Sequence, residues 1–330
     1  MKSVQFLLAR SRTLITLGMA VAATGVQAQD AAYPAQSVTL IVSSAAGGTT
    51  DMAARMISEP LSKALGKPVI VDNRPGGSGM IAASAVKRAR PDGYTLLVQY
   101  SGYHVITPHL IKASFDPIKD FAPVANLLVA PQVIVVRPEL PIKSLPDLVS
   151  YARAHPKKLS YASSGNGSLQ HVTGELIHQL AQVDITHVPY KGTGPAITDL
   201  LGGNVDMTFT TAPPLISHMK TGKLRPLAVT GKASLPGFPN VPTTASIKGY
   251  EKLDVSSWFA VYAPAGTPKP VIDRLTNEIG KIMQTADFKS KAEAQGAYAI
   301  YMNPRELADY TGKELQSWGK FVKEAKITGE

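Results

Sequence analysis

Four glycine-rich loops follow short apolar runs and open helices: Ala45-Ala46-Gly47-Gly48-Thr49-Thr50-Asp51, Pro75-Gly76-Gly77-Ser78-Gly79, Ser163-Ser164-Gly165-Asn166-Gly167-Ser168 and Tyr190-Lys191-Gly192-Thr193-Gly194-Pro195. Three carry no Lys or Arg before the helix begins, and the fourth carries Lys191. The first N-H groups of a helix lack intrahelical partners and sit at the positive end of its dipole, so such loops hold an anion without a formal charge. Glycine lets the anion come close to the backbone. This chemistry suits reversible binding of a carboxylate better than catalysis.

Other chemistries lack their residues. A serine hydrolase needs Gly-x-Ser-x-Gly, which neither Gly76-Gly77-Ser78-Gly79-Met80 nor Asn166-Gly167-Ser168-Leu169-Gln170 supplies. Ser168 and His171 lie three apart, the spacing of a capping hydroxyl and a residue of the first helical turn. His171, Glu175 and His178 share one helical face and could in principle ligate zinc, but the tighter His-Glu-x-x-His pattern is absent and a polar stripe accounts for them. No Gly-x-x-x-x-Gly-Lys-Ser/Thr occurs, and Gly77-Ser78-Gly79-Met80-Ile81-Ala82 has no acid about 20 residues on. No cofactor is expected. Asp51 and Arg55 are spaced for a helical ion pair, so Asp51 reads as orienting its loop rather than as pairing with a ligand amine.

The elements that must position these loops alternate strand and helix. Val38 to Val42, Val69 to Val71 and Tyr94 to Val98 read as strands, with helical spacing from Met52 to Leu65 and a turn at Pro91-Asp92-Gly93. A second series has helices at Leu145 to Arg153, Gln170 to Leu180 and Ala196 to Leu201. Its strands are Leu159 to Ala162, Ile185 to Val188, Met207 to Thr210 and Leu224 to Thr230. Such alternation predicts α/β layers, each sheet mainly parallel and flanked by helices. Two long extended stretches, Leu127 to Val136 and Ser256 to Tyr262, bracket the second series, so the chain is expected to cross between two domains twice and form a hinge. The expected domains are 29–128 with 255–330, and 129–254. Gly231 to Tyr250 reads as a surface connection with a short helix near Thr243, and Pro268 to Thr285 and Pro304 to Lys326 as amphipathic helices in which Tyr310 and Trp318 anchor packing.

Residues 1–28 read as a secretory signal: Lys2, Arg10 and Arg12 precede an apolar stretch from Leu14 to Val26, and Val26-Gln27-Ala28 resembles a cleavage site. Losing its three basic residues lowers the formal charge from +10 to +7. The remaining charge is spread out, without the basic and aromatic interleaving of a nucleic-acid face. No cysteine is present, which excludes disulfides, thiolate metal sites and a cysteine nucleophile.

A set of longer matches resembles the periplasmic substrate-binding proteins of tripartite tricarboxylate transporters, the Bug receptors. They include Val71-Asp72-Asn73-Arg74-Pro75-Gly76-Gly77-Ser78-Gly79, Arg90-Pro91-Asp92-Gly93-Tyr94-Thr95-Leu96-Leu97, His187-Val188-Pro189-Tyr190-Lys191-Gly192, Asp199-Leu200-Leu201-Gly202-Gly203 and Ala263-Pro264-Ala265-Gly266-Thr267-Pro268. The resemblance spans nearly the whole mature chain. It implies a two-domain periplasmic binding protein of type II topology that closes on a small carboxylate and delivers it to membrane permease subunits, and it does not imply catalysis; a monomer is expected. An α/β hydrolytic enzyme acting on a small anion is the alternative.

On this resemblance and the loop reading together, the ligand should meet Ala46, Gly47, Gly48, Thr49, Thr50 and Asp51 in the first loop. Ser163, Ser164, Gly165, Ser168 and His171, with Gly192, Thr193, Gly194 and Pro195, should face it from the other domain. Two departures from the family pattern bear on the ligand. Ser43-Ser44 make the mouth of the first loop smaller and more polar, and Tyr100-Ser101-Gly102-Tyr103-His104 replaces a smaller sequence. Ser101, Tyr103 and His104 are therefore expected at the cleft, with Tyr103 and His104 offered to an aromatic ring. Aromatic and aliphatic carboxylates, including di- and tricarboxylates and amino acids, stay open.

Overall fold

The computed structural model describes residues 33–329, so the signal segment expected at 1–28 lies outside the described residues. In chain order the elements are β1 (Val38–Val42), α1 (Thr49–Leu65), β2 (Val69–Asn73), α2 (Met80–Lys87), β3 (Thr95–Tyr100), α3 (Thr107–Leu110), β4 (Phe121–Val136), α4 (Leu145–Ala154) and β5 (Ser160–Ser163). There follow α5 (Leu169–Ala181), β6 (Thr186–Pro189), α6 (Thr193–Leu201), β7 (Met207–Thr211), α7 (Ile216–Lys220), β8 (Arg225–Val229), β9 (Ser256–Pro264), α8 (Lys269–Gln284), α9 (Ala286–Ala294) and α10 (Pro304–Glu324).

The strands run in the order β2-β1-β3-β9-β4-β7-β5-β6, with β8 also paired to β4. Each half contains a parallel trio, β2-β1-β3 and β6-β5-β7, as the strand and helix alternation predicts. The long strands β4 and β9 join antiparallel to these trios and to each other, so the sheet as a whole is mixed. Strand β4 pairs with β9 from Phe121 to Pro131, then with β7 and β8 from Gln132 onward. Pro131, which has no N-H to give, stands where the partner changes. The chain returns past the same place between β8 and β9. There Thr230 N donates to Gln132 O at 2.9 Å, Gln132 N donates to Thr230 Oγ1 at 2.9 Å, and Thr230 Oγ1 donates to Val255 O at 2.5 Å.

Local signals account for most elements. In α1 the residues Ala53, Ala54, Ile57, Leu61 and Leu65 fall on one face and are buried, and Gly66 closes the helix in the left-handed conformation at φ 68°. In α10 Asn303 and Glu306 form a reciprocal capping box. Tyr310 packs edge-on against the buried Trp258, and Trp318 against Phe321, the anchoring roles expected of them. The turn at Thr244–Ser246 lies in the connection where a short helix was expected. Helices α3, α7 and α9, and a wide helical turn at Gly102–Ile106, have no counterpart in the sequence reading. The four or five residues of α3 and α7 are too few to show a period, and α9 buries only Phe288 and Ala292.

Candidate functional site

The first loop is built around Asp51. Its Oδ2 accepts Gly47 N-H at 3.1 Å, and its two oxygens accept Arg55 Nε at 3.0 and 3.1 Å. Oδ1 also accepts Asn73 Nδ2 at 3.0 Å, while the same amide reaches Ser44 O at 3.1 Å. Gly47, at φ 84°, supplies the left-handed residue that turns the chain into α1. Asp51 is thus buried and committed to the loop, as its spacing to Arg55 implies.

The loop after β5 is braced from inside its own half. Ser163 Oγ accepts Gly165 N-H at 3.1 Å and lies 2.6 Å from His187 Nε2. Ser168 Oγ accepts His171 N-H at 3.2 Å, so this hydroxyl caps α5. The His171 ring accepts Gly167 N-H at 3.3 Å through Nδ1 and stacks on His187 at 4.4 Å and 13°. Burial drives the His187 pKa down to about 3, aided by the neighbouring His171, whose own pKa burial also lowers. Both rings are neutral packing elements. Ser163 is 1% exposed and does not reach the cavity described below, so its contact with His187 is a brace under the loop rather than an accessible nucleophile pair.

Loops of the two halves touch directly. Thr49 Oγ1 and Thr211 Oγ1 are 2.6 Å apart, Ser78 Oγ donates to Asn166 O at 2.5 Å, and Tyr103 OH donates to Ser164 O at 2.5 Å. Tyr100 OH accepts Leu169 N-H at 2.9 Å and donates to Gln170 Oε1 at 3.2 Å, and Thr107 Oγ1 donates to Gly167 O at 3.1 Å. Gly194 is packed so closely that a Cβ there would collide with the Ala46 carbonyl, and one on Gly192 would lie 3.0 Å from Ala45 N.

Between these contacts lies a small cavity of about 20 Å³. Its wall is Ser44, Thr49, Thr50, Tyr100, Tyr103, Ser164, Gln170, Thr193, Thr211, Ser257 and Phe259, without an Asp, Glu, Lys or Arg. Ser44 Oγ is buried there with no hydrogen-bond partner. Tyr100 and Phe259 stack at 6.1 Å and 28°. Burial raises the Tyr103 pKa to about 12 and raises Tyr100 as well, so both phenols stay protonated donors. A buried, neutral, donor-bearing wall can hold an anionic group by hydrogen bonds alone. On the far side of Gly47 and Gly48 a wider groove of about 580 Å³ runs beside Met52, Arg55, Met56, Pro213, Pro214 and Lys291.

Of the residues expected from sequence, Thr49, Thr50, Tyr103, Ser164 and Thr193 line the cavity. Gly47, Gly48 and Asp51 line the outer groove, and Ala46, Gly192 and Gly194 form the contact between loops. Pro195 lies in the first turn of α6. Ser163, Ser168 and His171 support the second loop from behind, and Gly165 lies beside Ser78 of the other half, where a Cβ would come within 3.1 Å of its hydroxyl. Ser101 accepts Trp258 N-H at 3.3 Å and does not line the cavity. His104 is placed away from it too, among Phe115, Phe121, Trp258 and Tyr262, with Nε2 3.1 Å from Pro117 O. Tyr100, Gln170, Thr211, Ser257, Phe259 and Ser44 complete the wall without having been singled out as contacts. The replacement of the usual residues by Ser43-Ser44 was the one signal pointing toward Ser44.

A model of the tripartite tricarboxylate transporter family receptor matches residues 53–327. The chain belongs to this family. It is similar to the periplasmic binding protein BugD, at 32% identity and a TM-score of 0.87, over 90% of this chain and 100% of that one. It is similar to an R. palustris protein solved with adipate, at 36% identity and a TM-score of 0.86, over 90% and 99%. It is also similar to MatC of Rhodopseudomonas palustris, solved with bound malate, at 33% identity and a TM-score of 0.84, over 88% and 100%. The fold is therefore that of the periplasmic binding proteins, an α/β architecture with two helix-flanked halves. Among the described residues no helix is long and apolar enough to cross a membrane, and no three His, Cys, Asp or Glu side chains converge to hold a metal.

Proposed function

We propose that this family member works outside the cytoplasm as a receptor that captures a small carboxylate between its two halves and hands it to the permease subunits of a tripartite tricarboxylate transporter. The moving bodies in this reading are residues 29–128 with 255–330, and 129–254, hinged where β4 and the segment before β9 pass each other. The chain acts as a monomer and performs no reaction on its ligand. Residues 1–28 direct it to the periplasm.

The observation that carries this reading is the cavity itself. Loops from both halves converge on it, its wall holds hydroxyls and an amide but no charged side chain, and Ser44 brings a buried oxygen with no protein partner. A buried polar group without a partner costs free energy until something bonds to it, and a carboxylate oxygen is a suitable acceptor. The relatives solved with adipate and malate support the same chemistry.

A thermal-shift screen against carboxylates tests this. A ligand that binds only the folded protein at a hundredfold excess over its Kd adds about 2.7 kcal/mol of stability. Small-angle scattering should then show a smaller radius of gyration with the stabilising acid than without it. Turnover of an ester or sugar, with no carboxylate in a broad panel shifting the melting point, would refute the receptor reading.

A further inference from the structure

Apart from Ser44 Oγ in the cavity wall, the buried side-chain atoms without a protein hydrogen-bond partner among the described residues are Ser43 Oγ, both amide atoms of Gln99, Asn126 Oδ1, Trp258 Nε1 and His104 Nδ1. Ser43, Gln99, Asn126 and His104 are fully buried, and Trp258 is 1% exposed. The strand register gathers them on one face of the sheet. Gln99 of β3 stands opposite Ala260 of β9, and Ala260 stands opposite Asn126 of β4, so the three side chains share a face. Ser43 follows β1, whose Val42 is level with Val98 of β3, and its N-H donates to Val98 O at 3.2 Å, which continues the ladder beside Gln99. Trp258 precedes Ala260 by two residues and shares its face, and the His104 ring packs against Trp258 at 6.2 Å and Tyr262 at 4.3 Å. Ser44, Tyr100 and Phe259, next along the same strands, line the cavity on the opposite face. The polar row therefore backs the cavity wall through the thickness of the sheet.

The row mixes donors with acceptors. Gln99 Nε2 and Trp258 Nε1 donate, Gln99 Oε1 and Asn126 Oδ1 accept, and Ser43 Oγ does both. His104 Nε2 lies 3.1 Å from Pro117 O, which can only accept, so Nε2 carries the proton and Nδ1 is an acceptor. None of these residues is an Asp, Glu, Lys or Arg. A cation held here would face N-H groups, and an anion would face carbonyl oxygens. Water both donates and accepts, and a buried water typically makes about three hydrogen bonds. Between Gln99 and Asn126 stands only the methyl of Ala260, and the two amides do not bond each other across it: Asn126 Nδ2 donates to Ile300 O at 2.6 Å. Polar groups stranded in this way destabilise a fold unless something bonds them. We propose that ordered water occupies this face of the sheet and bridges Gln99 to Ser43, Asn126 and Trp258, tying β1, β3, β9 and β4 together behind the cavity wall. This holds whatever fills the cavity on the other face.

Gln99→Met tests the proposal by the sign of a stability change. Methionine has nearly the same length and removes both amide atoms. Were the amide without any partner in the folded protein, its removal would leave the melting temperature unchanged or raise it. Bridging water reverses the sign, because the water and its other partners lose their bonds to Gln99. The melting temperature should then fall by about 2–4 °C for each net hydrogen bond lost, and a value that holds or rises overturns the proposal.

A crystal structure of the unchanged protein, at a resolution that shows water, gives an independent readout. Water is expected within about 2.7–3.2 Å of a Gln99 amide atom and of a polar side-chain atom of Ser43, Asn126 or Trp258. A dry face, or Gln99 bonded directly to one of those side chains, overturns the proposal even where Gln99→Met is destabilised. Should Gln99→Met fail to fold, the crystallographic result decides by itself.

Discussion

Gly194→Ala separates stability from closure. Gly194 is the second residue of α6, and its φ is not among the positive values, so alanine suits its backbone. Replacing glycine within a helix by alanine stabilises by about 0.5–1 kcal/mol. The new methyl, however, points at the Ala46 carbonyl on the loop of the other half, too close for any real Cβ, and the obstacle is backbone that has no rotamer to escape through. Forcing one extra carbon into a packed contact costs about 1–3 kcal/mol. Only the closed arrangement meets that cost, so it appears as a Kd about 5- to 150-fold weaker. Melting without ligand and titration with whichever carboxylate the screen finds give the two numbers. The expected pair is an unchanged or slightly raised melting temperature with a weakened Kd. Wild-type affinity in the variant, or an affinity loss matched by an equal loss of stability, would refute closure through the Ala46 and Gly194 contact. Gly48 makes a contrast: a Cβ there meets Ser44 Oγ at 3.6 Å and Thr193 Cβ at 3.7 Å, ordinary contacts, so Gly48→Ala should weaken binding far less.

Ser44→Ala should likewise separate the two quantities. It removes a buried oxygen with no protein partner, so folding stability holds or rises by up to about 1 kcal/mol, while carboxylate affinity falls about tenfold; calorimetry showing unchanged affinity would remove Ser44 from the site. Acid should destabilise the fold through its buried histidines. Burial holds His104 at about 3 in the folded state, against 6.5 ordinarily, and burial with the nearby His171 does the same for His187. The unfolded chain takes up these protons as pH falls below about 6.5 while the folded one does not until about 3, so this stability is complete above the upper value and is lost across that window. Melting temperature against pH should fall less steeply in His104→Phe, whose ring suits the surrounding Phe115, Phe121 and Tyr262; an identical slope would place the acid sensitivity elsewhere.

The boundaries of β1 and the runs assigned to β5, β7 and β8 were legible because each is a short apolar or β-branched run ending in a glycine, proline or polar turn, signals that act within a few residues. The ion pair of Asp51 with Arg55 and the Ser168 cap belong to the same class, set by helical spacing alone. The exchange of partners along β4 at Pro131 was partly visible as a long extended stretch interrupted by proline. Its antiparallel register with β9, more than a hundred residues away, was not, because pairing between distant strands leaves no local pattern.

His104 and Tyr103 show the limit most plainly. Neighbours in sequence, both were expected at the cleft. The wide helical turn at Gly102–Ile106 aims Tyr103 into the cavity and His104 into an aromatic cluster against Tyr262, 4.3 Å away. The cavity wall was hidden for the same reason. Tyr100 comes from β3, Gln170 from α5, Thr211 from β7 and Phe259 from β9, and nothing in their spacing brings them together. The sequence by itself determined which loops could hold an anion, because glycine conformation, helix ends and the absence of local charge are properties of short segments. Only the tertiary structure decided which side chains line the cavity between those loops, because this depends on how strands and helices from distant parts of the chain meet.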